Sequence, residues 1–95
     1  MYYIVYMIFY ERVIKKLFKK GEIPKKQFLL LHHAFQAIDL TKDLNLFDIK
    51  KLKGDYTREY FRLRKGKYRA IFFLENDDIY VIYIGKRDEV YDLWE

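Results

Sequence analysis

The spacing of apolar residues changes along the chain, and each spacing predicts a different element. Residues 2–7, Tyr-Tyr-Ile-Val-Tyr-Met, are β-branched and aromatic, a composition that suits a strand. From about Phe9 to Lys20, Tyr10, Val13, Ile14, Leu17 and Phe18 fall at helical spacing, while Arg12, Lys15, Lys16, Lys19 and Lys20 fill the other face. Gly21 is placed to stop that helix. Pro24 suits the first turn of a second helix, where its missing N–H costs nothing. Phe28, Leu31, Phe35 and Ile38 then form an apolar stripe, widened by Leu30, Ala34 and Ala37, which carries the helix to about Leu40. Residues 41–55 read as a connection whose apolar centre, Leu44, Leu46, Phe47 and Ile49, tacks onto the core before a turn at Gly54-Asp55.

Beyond that turn the period becomes two. Tyr60, Arg62 and Arg64 alternate with Phe61 and Leu63, and Lys65-Gly66-Lys67 reads as a hairpin turn. Tyr68 to Leu74 is a second strand of this group, with Tyr68 and Phe72 directed to the core. Asn76-Asp77-Asp78 is a tight turn, and Ile79 to Ile84 a third strand ended by Gly85. Residues 88–94 have room for one short helical turn, with Trp94 anchoring the tail. The order is strand, helix, helix, then a three-strand meander. That order indicates an α+β fold: a helical hairpin on one face of a mainly antiparallel sheet. The opposite face is left partly open, and a site is expected there. With 95 residues, 52% of them hydrophobic, residues 1–95 make a single domain with enough apolar material for a core at a length where the margin is thin.

Charge adds a direction. Residues 1–49 carry a net +3, residues 50–69 a net +7 and residues 70–95 a net −5. A +7 segment of twenty residues sets up a local positive field and points to an anionic partner. Missing residue types narrow the chemistry. The chain has no Cys and no Ser, and neither of its Thr residues, Thr41 and Thr57, stands beside a His. A disulfide framework, a thiol or serine nucleophile and a triad are thereby set aside. His32 and His33 are adjacent on the second helix and point about 100° apart, so they cannot ligate one metal together. The apolar start reads as a strand rather than a leader, and no run nears the roughly 18 apolar residues of a membrane span. The expected compartment is the cytoplasm.

The informative residues are Lys51-Leu52-Lys53-Gly54, Tyr60-Phe61-Arg62-Leu63-Arg64, Gly66-Lys67-Tyr68-Arg69-Ala70-Ile71-Phe72 and Ile84-Gly85-Lys86-Arg87-Asp88-Glu89-Val90-Tyr91. In order and spacing this set resembles the C-terminal half of the RelE/ParE toxin superfamily: K-L-x-G, a basic strand ending in R-L-R, x-Y-R-x-x-Y/F, and a strand ending in I-x-x-R followed by V-Y. The resemblance covers about residues 50–91, and the first 49 residues match in element order only. It implies a RelE-like fold and catalytic roles for Arg62, Arg69, Arg87 and Tyr91. Lys53, Tyr60, Arg64, Lys65 and Lys86 are the accompanying RNA-binding candidates. The chain departs from the family's pattern at Tyr60, where founding members carry a Lys.

What the resemblance implies about function is an mRNA interferase of the RelE-like branch. This is the toxin of a type II toxin–antitoxin system, a ribosome-dependent endoribonuclease that cleaves messenger RNA in the A site through attack by the RNA's own 2′-hydroxyl. No metal or organic cofactor is implied. The implied partners are a RelB-like antitoxin with an apolar-faced helix, the ribosome and its RNA, and the messenger RNA, with no membrane. The residue types suit that chemistry. Guanidinium groups match phosphate geometry and stay charged, and a Tyr can stack on a base or exchange a proton. The alternatives are a ParE-like DNA gyrase inhibitor and a degenerate, non-catalytic RNA-binding relative. Arg69, Arg87 and Tyr91 argue against the first, and Tyr60 keeps the second open.

Overall fold

The computed structural model describes residues 2–5, 7–54 and 57–87. Among them, six strands form one sheet: β1 (Tyr2–Val5), β2 (Ile8–Glu11), β3 (Asp48–Lys51), β4 (Phe61–Lys65), β5 (Tyr68–Glu75) and β6 (Asp78–Lys86). Helices α1 (Arg12–Lys19) and α2 (Lys25–Thr41) lie between β2 and β3 in the chain. The order across the sheet is β1-β2-β6-β5-β4-β3. Every pairing is antiparallel except β2 with β6, where Ile8, Phe9 and Tyr10 run parallel to Ile79, Tyr80 and Val81. No helix among the described residues is long and apolar enough to cross a membrane.

The core lies between the helices and one face of the sheet. Ile8, Leu63, Ala70, Phe72, Val81 and Ile84 from the strands meet Leu31, Phe35 and Ile38 of α2 and Ile14 of α1, all fully or almost fully buried. Phe35 packs edge-on against Phe72, with ring centroids 5.1 Å apart. Tyr68 and Phe72 belong to this core, as their positions on the strand led one to expect.

The turns follow from residue type. The β4–β5 hairpin closes through Gly66-Lys67, with Gly66 at φ +60° and Lys67 not in the positive-φ region, the pattern of a II′ turn. Asn76 and Asp77 both sit at positive φ between β5 and β6, the pattern of a I′ turn. Gly21 ends α1 at φ +78°. Its N–H donates to the Phe18 carbonyl at 3.1 Å while the Glu22 N–H donates to Leu17 at 3.0 Å, a Schellman cap.

Parts of the structure differ from what the residue spacing predicts. Phe9 and Tyr10 were expected on the first helix but lie on β2, and the single strand expected over 2–7 is a two-stranded hairpin turning at Met7, with φ +72°. Ile8 and Tyr10 are buried while Phe9 and Glu11 are only half-buried, so the two-residue period wins once β6 offers a parallel partner. The spacing places Asp48–Lys51 in a connection, but it is an edge strand, because Ile49 half-buries against Leu63 while its charged neighbours stay exposed. The meander therefore has four strands, and β6 continues through Gly85 to Lys86. The helical turn and the Trp94 anchor expected near the C-terminus lie outside the described residues.

His32 is buried on α2, and its Nδ1 makes a 2.7 Å hydrogen bond with the Tyr10 hydroxyl. Burial, with a smaller push from His33, holds the His32 imidazole below its ordinary pKa of 6.5. Burial likewise raises the Tyr10 phenol. His33 is exposed, and among the described residues no metal-binding cluster of acidic, His or Cys side chains forms.

Two predictions follow from this packing. Nothing lies within 4 Å of a Cβ built on Gly21, so Gly21→Ala meets only backbone strain. It should cost about 1–2 kcal/mol in urea unfolding with the slope unchanged. The second concerns pH. The folded chain resists protonation at His32 while the unfolded chain accepts it near 6.5, so stability falls as pH drops below that value. Urea midpoints measured at about pH 7.5 and about pH 5 should show this loss, and His32→Gln, which does not titrate, should flatten it.

Candidate functional site

The strand registers decide which charged side chains meet. Across β3, β4, β5 and β6, Asp48 stands opposite Arg64, Arg64 opposite Arg69, and Arg69 opposite Gly85. Lys50 stands opposite Arg62, and Arg62 opposite Ile71. These positions alternate with the half-buried Ile49 and the buried Leu63 and Ala70, so they occupy the face away from the helices.

At the end of the sheet where the β4–β5 turn meets the last residues of β6, Arg64, Gly66, Lys67, Arg69, Lys86 and Arg87 line an open recess of about 330 Å³. Arg64, Arg69, Lys86 and Arg87 were all singled out from the sequence, although they span 24 positions of the chain. Arg69 is 6% exposed, whereas Lys86 and Arg87 are exposed. Gly85 stands opposite Arg69 and contributes no side chain there. A concave wall of guanidinium and ammonium groups concentrates positive potential and suits an anion with several oxygens, such as a phosphodiester.

The other candidates fall elsewhere. Arg62 lies on the same face but is engaged: its Nη2 donates to Asp48 Oδ1 at 2.9 Å, and its side chain is 13% exposed. Arg64 Nε donates to the other oxygen of Asp48 at 2.6 Å. Lys65 points to the helix side, where its Nζ lies 5.2 Å from the centre of the Phe47 ring. Lys53 is exposed in the segment after β3 and does not line the recess. Tyr60 packs edge-on against Phe73, 5.9 Å between centroids, in an aromatic row at the other end of the open face. In that row Phe9, Tyr80 and Phe73 stack in turn, and the Arg58 guanidinium lies 4.0 Å from the Phe73 ring centre. Tyr91 lies outside the described residues.

Sequence reasoning missed Lys67 and Asp48. Lys67 follows the turn glycine directly, and its place in the hairpin loop was the available signal. Asp48 had none until β3 was known to be a strand in register with β4.

The two kinds of cation in the recess should respond differently to substitution. Lys86→Gln and Arg87→Gln remove exposed charges and should leave stability within about 0.5 kcal/mol. Arg69→Gln alters a buried group and should lower the thermal midpoint by roughly 4 °C or more. Calorimetry on the three variants checks the separation.

No family profile matches the chain. Over a 93-residue alignment it is 29% identical to the mouse cell division cycle-associated 7-like protein, covering 85% of this chain and 21% of that protein. The chain thus spans about a fifth of the length of the curated relative it matches. Among solved structures, it is similar to a chain of the RelB–RelE antitoxin–toxin complex from Methanococcus jannaschii, with 25% identity and a TM-score of 0.69 over 90% of this chain and 98% of that one. Two helices on one face of a six-stranded, mostly antiparallel sheet make an α+β fold consistent with the RelE-like one, and the chain resembles a component of a toxin–antitoxin complex.

Proposed function

We propose that the chain is the toxin of a toxin–antitoxin pair and a metal-independent endoribonuclease that cuts messenger RNA held by the ribosome. The observation that carries this reading is the recess, where Arg64, Lys67, Arg69, Lys86 and Arg87 converge on a fold similar to a RelB–RelE chain. The resemblance over residues 50–91 favours toxin over antitoxin.

Cutting RNA by its own 2′-hydroxyl requires that hydroxyl to lose a proton, the pentavalent phosphate to be stabilised and the 5′-oxygen to gain a proton. The products are a 2′,3′-cyclic phosphate and a 5′-hydroxyl. In this reading Arg69, held by burial, and Arg87, at the mouth, aim fixed positive charge at the oxygens that gain charge in the transition state. Arg64, Lys67 and Lys86 hold the flanking phosphates, and Tyr91 stacks on a base or handles a proton. The residues lining the recess are cations and a glycine, so they can neutralise phosphate but cannot by themselves order a flexible RNA chain. Orientation supplied in advance is worth about 7–11 kcal/mol, and a codon held on the ribosome supplies it. The +7 segment steers the protein toward ribosomal RNA. A RelB-like antitoxin is the cognate partner in this reading and masks the recess.

The test is primer-extension mapping of one messenger RNA with and without translating ribosomes, alongside a gyrase supercoiling assay. Cleavage in the presence of ribosomes, with little on free RNA, is expected, and Arg87→Ala should lower the rate by about 10²–10³ while the fold persists. Inhibited gyrase with intact messenger RNA would assign the chain to the ParE-like alternative. Binding to ribosomes without cleavage would leave an RNA-binding relative, and equal cutting of free RNA would remove the ribosome from the mechanism.

A further inference from the structure

One carboxylate stands on the basic face beside the recess, and the function above does not use it. Asp48 opens the edge strand β3 directly opposite Arg64, one position diagonal to Arg62 on the same face. Its two oxygens accept from two different guanidinium groups: Oδ1 from Arg62 Nη2 at 2.9 Å and Oδ2 from Arg64 Nε at 2.6 Å. Two oxygens of one anion gripped by two arginines is also the arrangement by which arginines hold a phosphate.

We infer that Asp48 is an internal stand-in for a substrate phosphate, holding Arg64 in the empty protein and yielding it to a phosphate oxygen when the ligand enters. The inference rests on the proposed function only for the identity of that ligand as RNA.

The two arginines are not equivalent, and the difference says where exchange takes place. Arg62 is 13% exposed, and its buried Nε has no hydrogen-bond partner among the described residues, so it is fixed in the sheet with Asp48 as its anion. Arg64 is 52% exposed and also lines the recess, so its guanidinium can turn from Asp48 to a ligand without disturbing the core. An ion pair this exposed holds its partners only weakly, which makes the exchange easy.

The carboxylate also answers a problem of charge. Arg62, Arg64 and Arg69 crowd neighbouring positions of β4 and β5, with Lys50 beside them on β3. Among the described residues, Asp48 is the acidic side chain at these register positions. It offsets the repulsion while the site is empty and competes with phosphate for the same donors. Asp48 is therefore a positioning residue that sets how strongly the site grips phosphate.

The experiment follows the arginine Nε–Hε resonances by NMR while inorganic phosphate is added to the full chain, as wild type, Asp48→Asn, Asp48→Glu and Arg64→Gln. In Asp48→Asn the Arg64 resonance should move at several-fold lower phosphate than in wild type, and Asp48→Glu, which keeps a carboxylate, should return toward wild type. Arg64→Gln should remove the tight response. Thermal unfolding confirms that each variant is folded. An equal or weaker phosphate response in Asp48→Asn would overturn the inference and make Asp48 an orienting group. Arg64→Gln guards against a misfolded Asp48 variant, since an undiminished phosphate response without Arg64 also overturns it. A second arm measures an uncleavable 2′-O-methyl RNA oligonucleotide across a salt series. The affinity of Asp48→Asn should exceed that of wild type, with a slope steeper by about 0.7 for one added phosphate contact. Tighter phosphate with unchanged RNA binding supports the internal stand-in and removes RNA as its ligand, whereas loss of cleavage on ribosomes is what overturns the proposed function, so the two ideas fail separately.

Discussion

The organising constraint is a pair of like charges. Arg64 and Arg69 face each other directly across β4 and β5, an arrangement that opposes pairing by roughly 0.2–1 kcal/mol. The register is nevertheless fixed from both ends. Gly66 closes the two-residue turn at one end. Leu63 against Ala70 and Phe61 against Phe72 bury the other face of the same ladder. A slip by one residue would drive Arg62 and Arg64 under the helices and push Leu63 into water. The hydrophobic term set by Leu63, Ala70 and Phe72 outweighs the repulsion, so the core builds the cationic recess as a consequence of burying itself.

That dependence explains what could be read in the sequence. The R-L-R alternation and the Gly66 turn carry both the strand register and the charge cluster, so the meander and most of the recess were visible in one pattern. Arg64, Arg69, Lys86 and Arg87 meet because two-residue hairpins convert sequence order into neighbouring strands. What stayed hidden depended on partners far away in sequence. Ile8 to Tyr10 becomes a strand because β6, some seventy residues later, offers a parallel edge, and no local signal reports that edge. Asp48–Lys51 is too short and too charged to declare itself until Leu63 covers Ile49. Lys65 stands on the helix side by the same alternation that points Leu63 inward, and Tyr60 packs against Phe73 in the aromatic row, away from the recess.

The face away from the helices changes material along its length, with a small apolar cluster of Leu52 and Ile71 with Tyr60, Ile82 and Tyr83 between its two ends. One end carries arginines and lysines, the other Phe9, Tyr80 and Phe73 stacked ring to ring with Arg58 against the last of them. The bulge between Ile71 and Phe72 falls at the junction. Before it, Tyr83 stands opposite Ile71; beyond it, Val81 stands opposite Phe72, so one extra residue of β6 restores the inward direction of Val81 and Ile79. The bulge thus lets β6 serve the core along its length while the outer face changes character halfway.

The two sides of the sheet also separate two kinds of chemistry. The only histidines, His32 and His33, are on α2, and His32 is committed to Tyr10 in the interior with its pKa held down by burial. Neither imidazole lines the recess, whose side chains are cations. A site made of guanidinium and ammonium groups stabilises charge on phosphate strongly, because those groups are already charged and held by the strands before the ligand arrives. It does little to select one phosphodiester of a flexible chain. Charge stabilisation built into the fold, with ordering left to whatever presents the RNA, is therefore the division of labour that the proposed function requires.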